Sequence, residues 1–430
     1  VTNLLNEQAI AILKKNDRGG FTIPTARLYP FQWNWDSAFV ALGLATYDLD
    51  RAWTELEMLV SGQCHDGMIP SIVFRTDDQD YFPGPEIWQN HNGPVSGTGI
   101  SQPPVLASVI RSLVRMNPTV GHAKAAHLFE PVMRWHRWFD QYRRTEDAPA
   151  ICTVHPWETG RDNCPDWNIA LHQMDVDPDL PAYTRKDIIH ADASQRPSQL
   201  EYDKYLTIVK FGRDCGWDQE KLLKDGPFQV ADPGLHFILL RANRDLLALA
   251  SLLGRSDIEQ AEISSWIEAG ESGADYLWND KVKAFCARDA RTGQFSDGFS
   301  NASALAFFAD AGSAEQKQHT LTHIKRINQK TRFGQPSWDP DAADFESQRY
   351  WCGPLWCQMN YMISMGLAEA GEAALAEKLR LDLRRVIELS GFYECFDPIS
   401  GQGCIGKDFS WTAALWLAWA GHDLPAQQAS

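Results

Sequence analysis

Three acidic residues stand at helix ends or in irregular segments of the chain. Asp36 falls inside FQWNWDSAF, Asp162 inside HPWETGRDNCPDW and Glu394 inside GFYECFDPISGQGCIGKDFSWTAAL. Aromatic residues accompany each of them. A carboxyl among such rings is partly stripped of water, which disfavours its charge and lifts its pKa toward that of a working acid or base. Rings beside carboxylates also suit a sugar, whose apolar faces stack while its hydroxyls take polar partners. Each residue has a plainer reading too: Asp36 as a helix N-cap, Asp162 as the organiser of a turn, Glu394 as a solvated residue at a helix end. Together, Asp162 and Glu394 supply the two carboxyls that glycoside hydrolysis needs, one to protonate the leaving oxygen and one to activate water or attack the sugar. The glycine-rich stretch after Glu394 lacks the GKT or GxGxxG setting of a phosphate loop.

The elements that must carry these acids are helical. PGLHFILLRANRDLLALASLLG places Leu235, Ile238, Ala242, Leu246, Leu249 and Leu253 on one face, with Asp232 before Pro233 as a start signal and Gly254 as a stop. Leu128, Val132, Trp135 and Phe139 repeat the pattern, and similar runs occupy 37–60, 103–116, 257–277, 302–311, 350–370, 373–389 and 409–420. Long polar loops rich in Gly, Pro and Trp separate them, at 62–101, 151–201 and 331–350; loops of that length usually carry function. KAFCARDARTGQF is the main strand signal and predicts a short hairpin. The expected architecture is all-α, an α/α toroid forming one catalytic domain over 1–430, with loop insertions 62–101 and 151–201 over the site.

Bulk composition narrows the partners. The 430 residues are 44% apolar and carry a net charge of −16 with no basic stripe, which argues against nucleic acid or an anionic membrane. An anionic ligand would need a local arginine against that field. No apolar run is long enough to span a bilayer and no secretory signal pattern opens the chain, so the expected location is cytoplasmic. The nine cysteines form no CxxC pair. Neither a disulfide framework nor a structural metal is expected, and the chemistry calls for no cofactor. Many of the 17 tryptophans lie in loops beside charges, although core packing accounts for any single tryptophan more readily.

In order along the chain, WNWDSAF, GMIPSIVF, YFPGPEIW, HPWETGRDNCPDW, RPSQLEYDKY, ADPGLHFILLRANRDL, RYWCGPLW and YECFDPISGQGCIGKDFSWTAAL resemble glycoside hydrolase family 63, and within it the compact bacterial mannosylglycerate and glucosylglycerate hydrolases. The resemblance implies an (α/α)6 toroid and hydrolysis of an α-linked O-glycoside with inversion, on a small-molecule sugar substrate. It implies Asp162 as general acid, Glu394 as general base and Asp36 as a sugar-binding carboxylate. It sets Tyr29, Trp33, Trp35, Trp157, Trp351 and Trp356 around the sugar, and Tyr81, Gln102, Arg196, Tyr202 and Tyr350 around the glycerate. Arginine at 196 also makes physical sense, since its fork meets a carboxylate bidentately; Gln199 and Tyr202 are close enough in the chain to support it. Two positions depart from the family: Cys352 stands where arginine is common and Ser71 where histidine is frequent. Both bear on the aglycone. The alternatives are an inverting α-glucosidase acting on another small glucoside or disaccharide, a non-catalytic carbohydrate-binding toroid, and a toroidal lyase, which the acidic balance disfavours.

Overall fold

The computed structural model describes residues 2–78, 80–145 and 148–422. Its main helices are α1 (Thr2–Asn16), α2 (Asn34–Leu44), α3 (Leu49–Val60), α4 (Leu106–Met116), α5 (Pro118–Tyr142), α6 (Gln199–Asp214), α7 (Pro233–Leu252), α8 (Asp257–Tyr276), α9 (Asn301–Ala304), α10 (Ala306–Ala309), α11 (Ala314–Lys330), α12 (Cys357–Glu369), α13 (Ala373–Ser390) and α14 (Ser410–Leu415). Among the described residues α2, α4, α7, α10, α12 and α14 touch in that order, and α14 returns to α2, closing an inner ring. Outside it, α3 backs α2, α5 backs α4, α8 backs α7, α11 backs α9, α13 backs α12 and α1 backs α14. This is an (α/α)6 toroid.

Ring position follows from side-chain pattern. Every residue of α2 and of α14 is buried, including the polar Asn34, Asp36, Ser37, Ser410 and Thr412, so both helices sit inside. Their contact is close: a side chain at Gly43 would run into the Ala414 backbone. The outer helices bury one stripe only, as α3 does with Trp53, Leu56 and Leu59, and several are capped at their start. Capping boxes at Ser256 and Ser313 start α8 and α11; an N-cap of this kind is worth about 1 kcal/mol.

One expectation needs correction. The apolar run 37–60 is two helices, because Ala45 closes α2 and the Asp48 side chain accepts from the Arg51 amide to open α3. An inner helix and the outer helix folded back on it both show a helical period, so the pattern alone merges them. The hairpin expected within KAFCARDARTGQF is present and short: Arg288 bridges Phe295 in antiparallel fashion and the Asp289 amide donates to the Gln294 carbonyl at 2.8 Å. Its first strand also pairs outward, Arg288–Asp289 with Val230–Ala231, while Ala284–Phe285 pairs with Trp278–Asn279.

Candidate active site

The segment 155–167 is irregular because its charges lock it in place, and one is left over. Glu158 is fully buried against Arg143, with both guanidinium contacts at 2.7 and 2.8 Å, and it also accepts the Ser101 amide. Arg161 bridges Asp166 at 2.8 Å and Asp232 at 2.6 Å, and Asp232 in turn caps α7 through the Gly234 and Leu235 amides. Breaking a buried pair of this type by removing one partner costs about 3–5 kcal/mol. Gly160, at φ 68°, lets the chain pass Trp35, whose ring would lie 2.5 Å from any Cβ there. Between these anchors Asp162 makes no ion pair with any described residue, and it lines a deep cavity. Its neighbour Asn163 is held by the Tyr205 hydroxyl and by Cys352, whose thiol donates to the Asn163 carbonyl at 3.2 Å.

Glu394 lies on the strand Tyr393–Phe396, between Leu355–Trp356 and the edge strand Gly403–Lys407. The register slips between Cys404 and Lys407. Such a bulge re-aims backbone groups, and here the Gly406 amide donates to Glu394 Oε2 at 3.3 Å. The Tyr29 hydroxyl donates to Oε1 at 3.2 Å and contacts the Tyr350 hydroxyl at 3.2 Å. Asp36 sits in the first turn of α2, fully buried, but it is not the N-cap; Trp33 holds that place without a side-chain cap bond. Its Oδ1 finds no hydrogen-bond partner among the described residues.

All three acids line one cavity of about 990 Å³, counted out to its open mouth. Tyr29, Trp33, Trp35, Tyr81, Gln102, Trp157, Arg196, Tyr202 and Tyr350 line it as well. Trp351 and Trp356 do not. They stack face to face at 3.9 Å behind the wall, where Trp351 lies against Trp35 and Trp356 against Tyr350. Cys352 also lies outside the lining, so of the two departures only Ser71, bonded to Thr98, faces the ligand space. Gln199 does not support Arg196; it reaches Tyr183 and Asp203 instead. The support comes from Asp187, 3.0 Å from Arg196 Nε, from the Tyr29 hydroxyl at Nη1, and from the Tyr350 ring 4.2 Å beneath the guanidinium. Sequence reasoning missed Asp187, Trp411, Phe409 and the cations Arg27 and Lys186, all on the lining. Trp411 and Phe409 stand inside a motif already singled out; the others carry no spacing signal.

Burial pushes the carboxyls of Asp162 and Glu394 each up to about 7, against the pull of Arg196, which lowers both. Burial, then the nearby Glu394, raises Asp36 well above the ordinary range. Gly406, Tyr29 and Tyr350 favour ionised Glu394, Tyr350 and a backbone bond favour ionised Asp162, and the charge of Glu394 raises Asp162. The two carboxyls therefore titrate as a pair at about 7, the setting in which one protonated and one ionised carboxyl coexist at neutral pH. kcat/KM is expected to be bell-shaped with both limbs within about two units of pH 7. A profile flat from about pH 5 to about pH 9 would contradict it. The same raised carboxyls weaken the fold as pH rises. Their contribution is fully present below the ordinary carboxylate range and is lost on passing through about 7, because the buried site resists the second charge.

A family profile described as the mannosylglycerate hydrolase MGH1-like glycoside hydrolase domain matches residues 29–412. The chain is 42% identical to mannosylglycerate hydrolase MGH1 of Selaginella moellendorffii, over 95% of this chain and 84% of that protein. It is 32% identical to the glucosylglycerate hydrolase of Mycolicibacterium hassiacum, over 97% and 98%. The crystal structure of the GH63 mannosylglycerate hydrolase from Thermus thermophilus, in complex with Tris and D-glycerate, superposes with a TM-score of 0.92 at 39% identity, covering 96% of this chain and 99% of that one.

Proposed function

Because the chain belongs to the MGH1-like mannosylglycerate hydrolase family of glycoside hydrolases, we propose that it hydrolyses an α-linked hexosylglycerate, glucosylglycerate or mannosylglycerate, with inversion, releasing the hexose and glycerate. The observation that carries this reading is one cavity holding two buried carboxyls at about 7 beside a charged arginine. Asp162 gives its proton to the glycosidic oxygen while Glu394 takes one from the attacking water. Asp36 offers its unpartnered oxygen to sugar hydroxyls, and Trp33, Trp35 and Trp157 bound the sugar's apolar faces. Trp351 and Trp356 act from behind by setting Trp35 and Tyr350. Arg196 spends Nε and Nη1 on Asp187 and Tyr29, so Nη2 is the donor left for the glycerate carboxylate, with Tyr81, Gln102, Tyr202 and Tyr350 about it. The chain acts as one catalytic unit, with segments 62–101 and 151–201 both contributing cavity residues.

Proton NMR of the first-formed sugar tests the stereochemistry. Inversion of an α-linkage gives the β-anomer before mutarotation; first appearance of the α-anomer would mean a covalent glycosyl intermediate and overturn the base role of Glu394.

A further inference from the structure

We propose that Cys395 and Cys404 are an oxidisable dithiol, and that their disulfide disables the adjacent base. They are directly opposed partners on the antiparallel strands Tyr393–Phe396 and Gly403–Lys407. Opposed residues in such a pair project to one face with Cα atoms about 4.5–5.5 Å apart. A disulfide needs about 4.4–6.8 Å, so the backbone already meets its geometry. Each strand also carries a group of the site. Glu394 immediately precedes Cys395, and Gly406, whose amide donates to Glu394, follows Cys404 across the bulge. A covalent tie at 395–404 therefore acts on the two strand segments that aim the base and its donor.

The reaction balances with a small azodicarboxamide or a low-molecular-weight disulfide as oxidant. The two thiols give up two protons and two electrons, a sulfur–sulfur bond forms, and the oxidant's N=N or S–S bond takes both hydrogens. Access runs through the edge strand. Among the described residues Gly403–Lys407 has a strand neighbour on one side only, its outer side held by the side chains of Gln195 at the Ile405 amide and Thr25 at the Lys407 carbonyl; its residues alternate between buried and partly exposed, and Ile405 is held at φ 65°. Burial, then the Cys404 thiol, raises Cys395 well above the usual thiol range, so oxidation waits on opening of that edge. None of the other cysteines has this placement. Cys357 contacts Thr412, and Cys164 and Cys352 are engaged by Arg161 and Asn163.

The proposal takes Glu394 as the base, and its test separates that reading from the dithiol itself. The reduced full chain is treated with diamide under native conditions, alkylated and peptide-mapped. Sugar release from hexosylglycerate and amide hydrogen exchange over 403–407 are measured in parallel. The expected result is a Cys395–Cys404 link, altered exchange across 403–407 and a fall in turnover of at least about tenfold, all reversed by dithiothreitol and absent in Cys404→Ser and in Cys395→Ala. Absence of the link in the native chain, a Cys164–Cys352 link in its place, or a link with unchanged exchange and turnover would overturn the dithiol. A link that alters exchange in a chain with no turnover on hexosylglycerate would overturn the substrate reading and leave the dithiol standing.

Discussion

Replacing Glu394 by Gln, or Asp162 by Asn, lowers turnover by about 10²–10⁴-fold and leaves the fold standing. Neither residue holds the structure together. Asp162 is the acid of its loop that takes no ion pair while Glu158, Arg161 and Asp166 do the anchoring. Glu394 accepts from Gly406 and Tyr29, and a Gln carbonyl keeps one of those bonds while the tyrosine hydroxyl rotates to accept from the amide. What is lost is the proton: the amide at 162 has none to give to the leaving oxygen, and the amide at 394 has no charge with which to draw one from water. The stability consequence has a sign. In the parent chain two carboxyls near 7 are forced toward charge in a dry site as pH climbs, so each variant should melt higher than the parent above about pH 7 and show no such gain near pH 4. Initial-rate sugar release and thermal melts at both pH values check this. Retention of more than about a tenth of the activity in either variant removes that residue from its role.

What the sequence discloses, and what it hides, follows from the reach of each signal. That Asp36, Asp162 and Glu394 share one cavity is legible because carboxyls among aromatic rings are costly to bury and have few structural excuses. The helices are legible from their period, yet 37–60 reads as one run because inner and outer helices share that period, and only the Asp48 cap marks the break. Asp187 is illegible: it sits in a short turn of helix, Asp187–His190, with no periodic context, and its link to Arg196 exists only once the loop has folded over the cavity. Cys352 misleads in the other direction. Beside Trp351 in the motif it looks like a pocket residue, but its partner is Asn163, 189 positions away, and it steadies the loop that carries the acid. Trp351 and Trp356 mislead similarly, since a motif cannot distinguish a ring that touches the sugar from one that backs it.

Arg196→Ala is expected to raise KM for glucosylglycerate by roughly 10- to 150-fold, the effect of losing a charged hydrogen-bond partner worth about 1.5–3 kcal/mol. An uncharged glucoside such as glucosylglycerol has no carboxylate to lose, so its KM should move far less. Truncation leaves Asp187 bound by Arg185 at 3.0 and 2.7 Å, so the loop keeps its anchor. Arg196 is also the main group lowering both Asp162 and Glu394. Its removal should therefore shift the pH profile upward for both substrates alike, an effect on kcat separable from the selective loss in KM. Arg27 and Lys186 line the same cavity but make no ion pair with any described residue, so they draw an anion toward the mouth without fixing its orientation. Raising ionic strength should accordingly weaken kcat/KM for the charged substrate in wild type and in Arg196→Ala, while the selectivity for the carboxylate disappears only in the variant. Equal KM changes on glucosylglycerate and glucosylglycerol, with the neutral glucoside the better wild-type substrate, would refute glycerate recognition by Arg196. The acid, the base and the inverting chemistry would stand, because Asp162, Glu394 and their donors do not depend on what the aglycone carries.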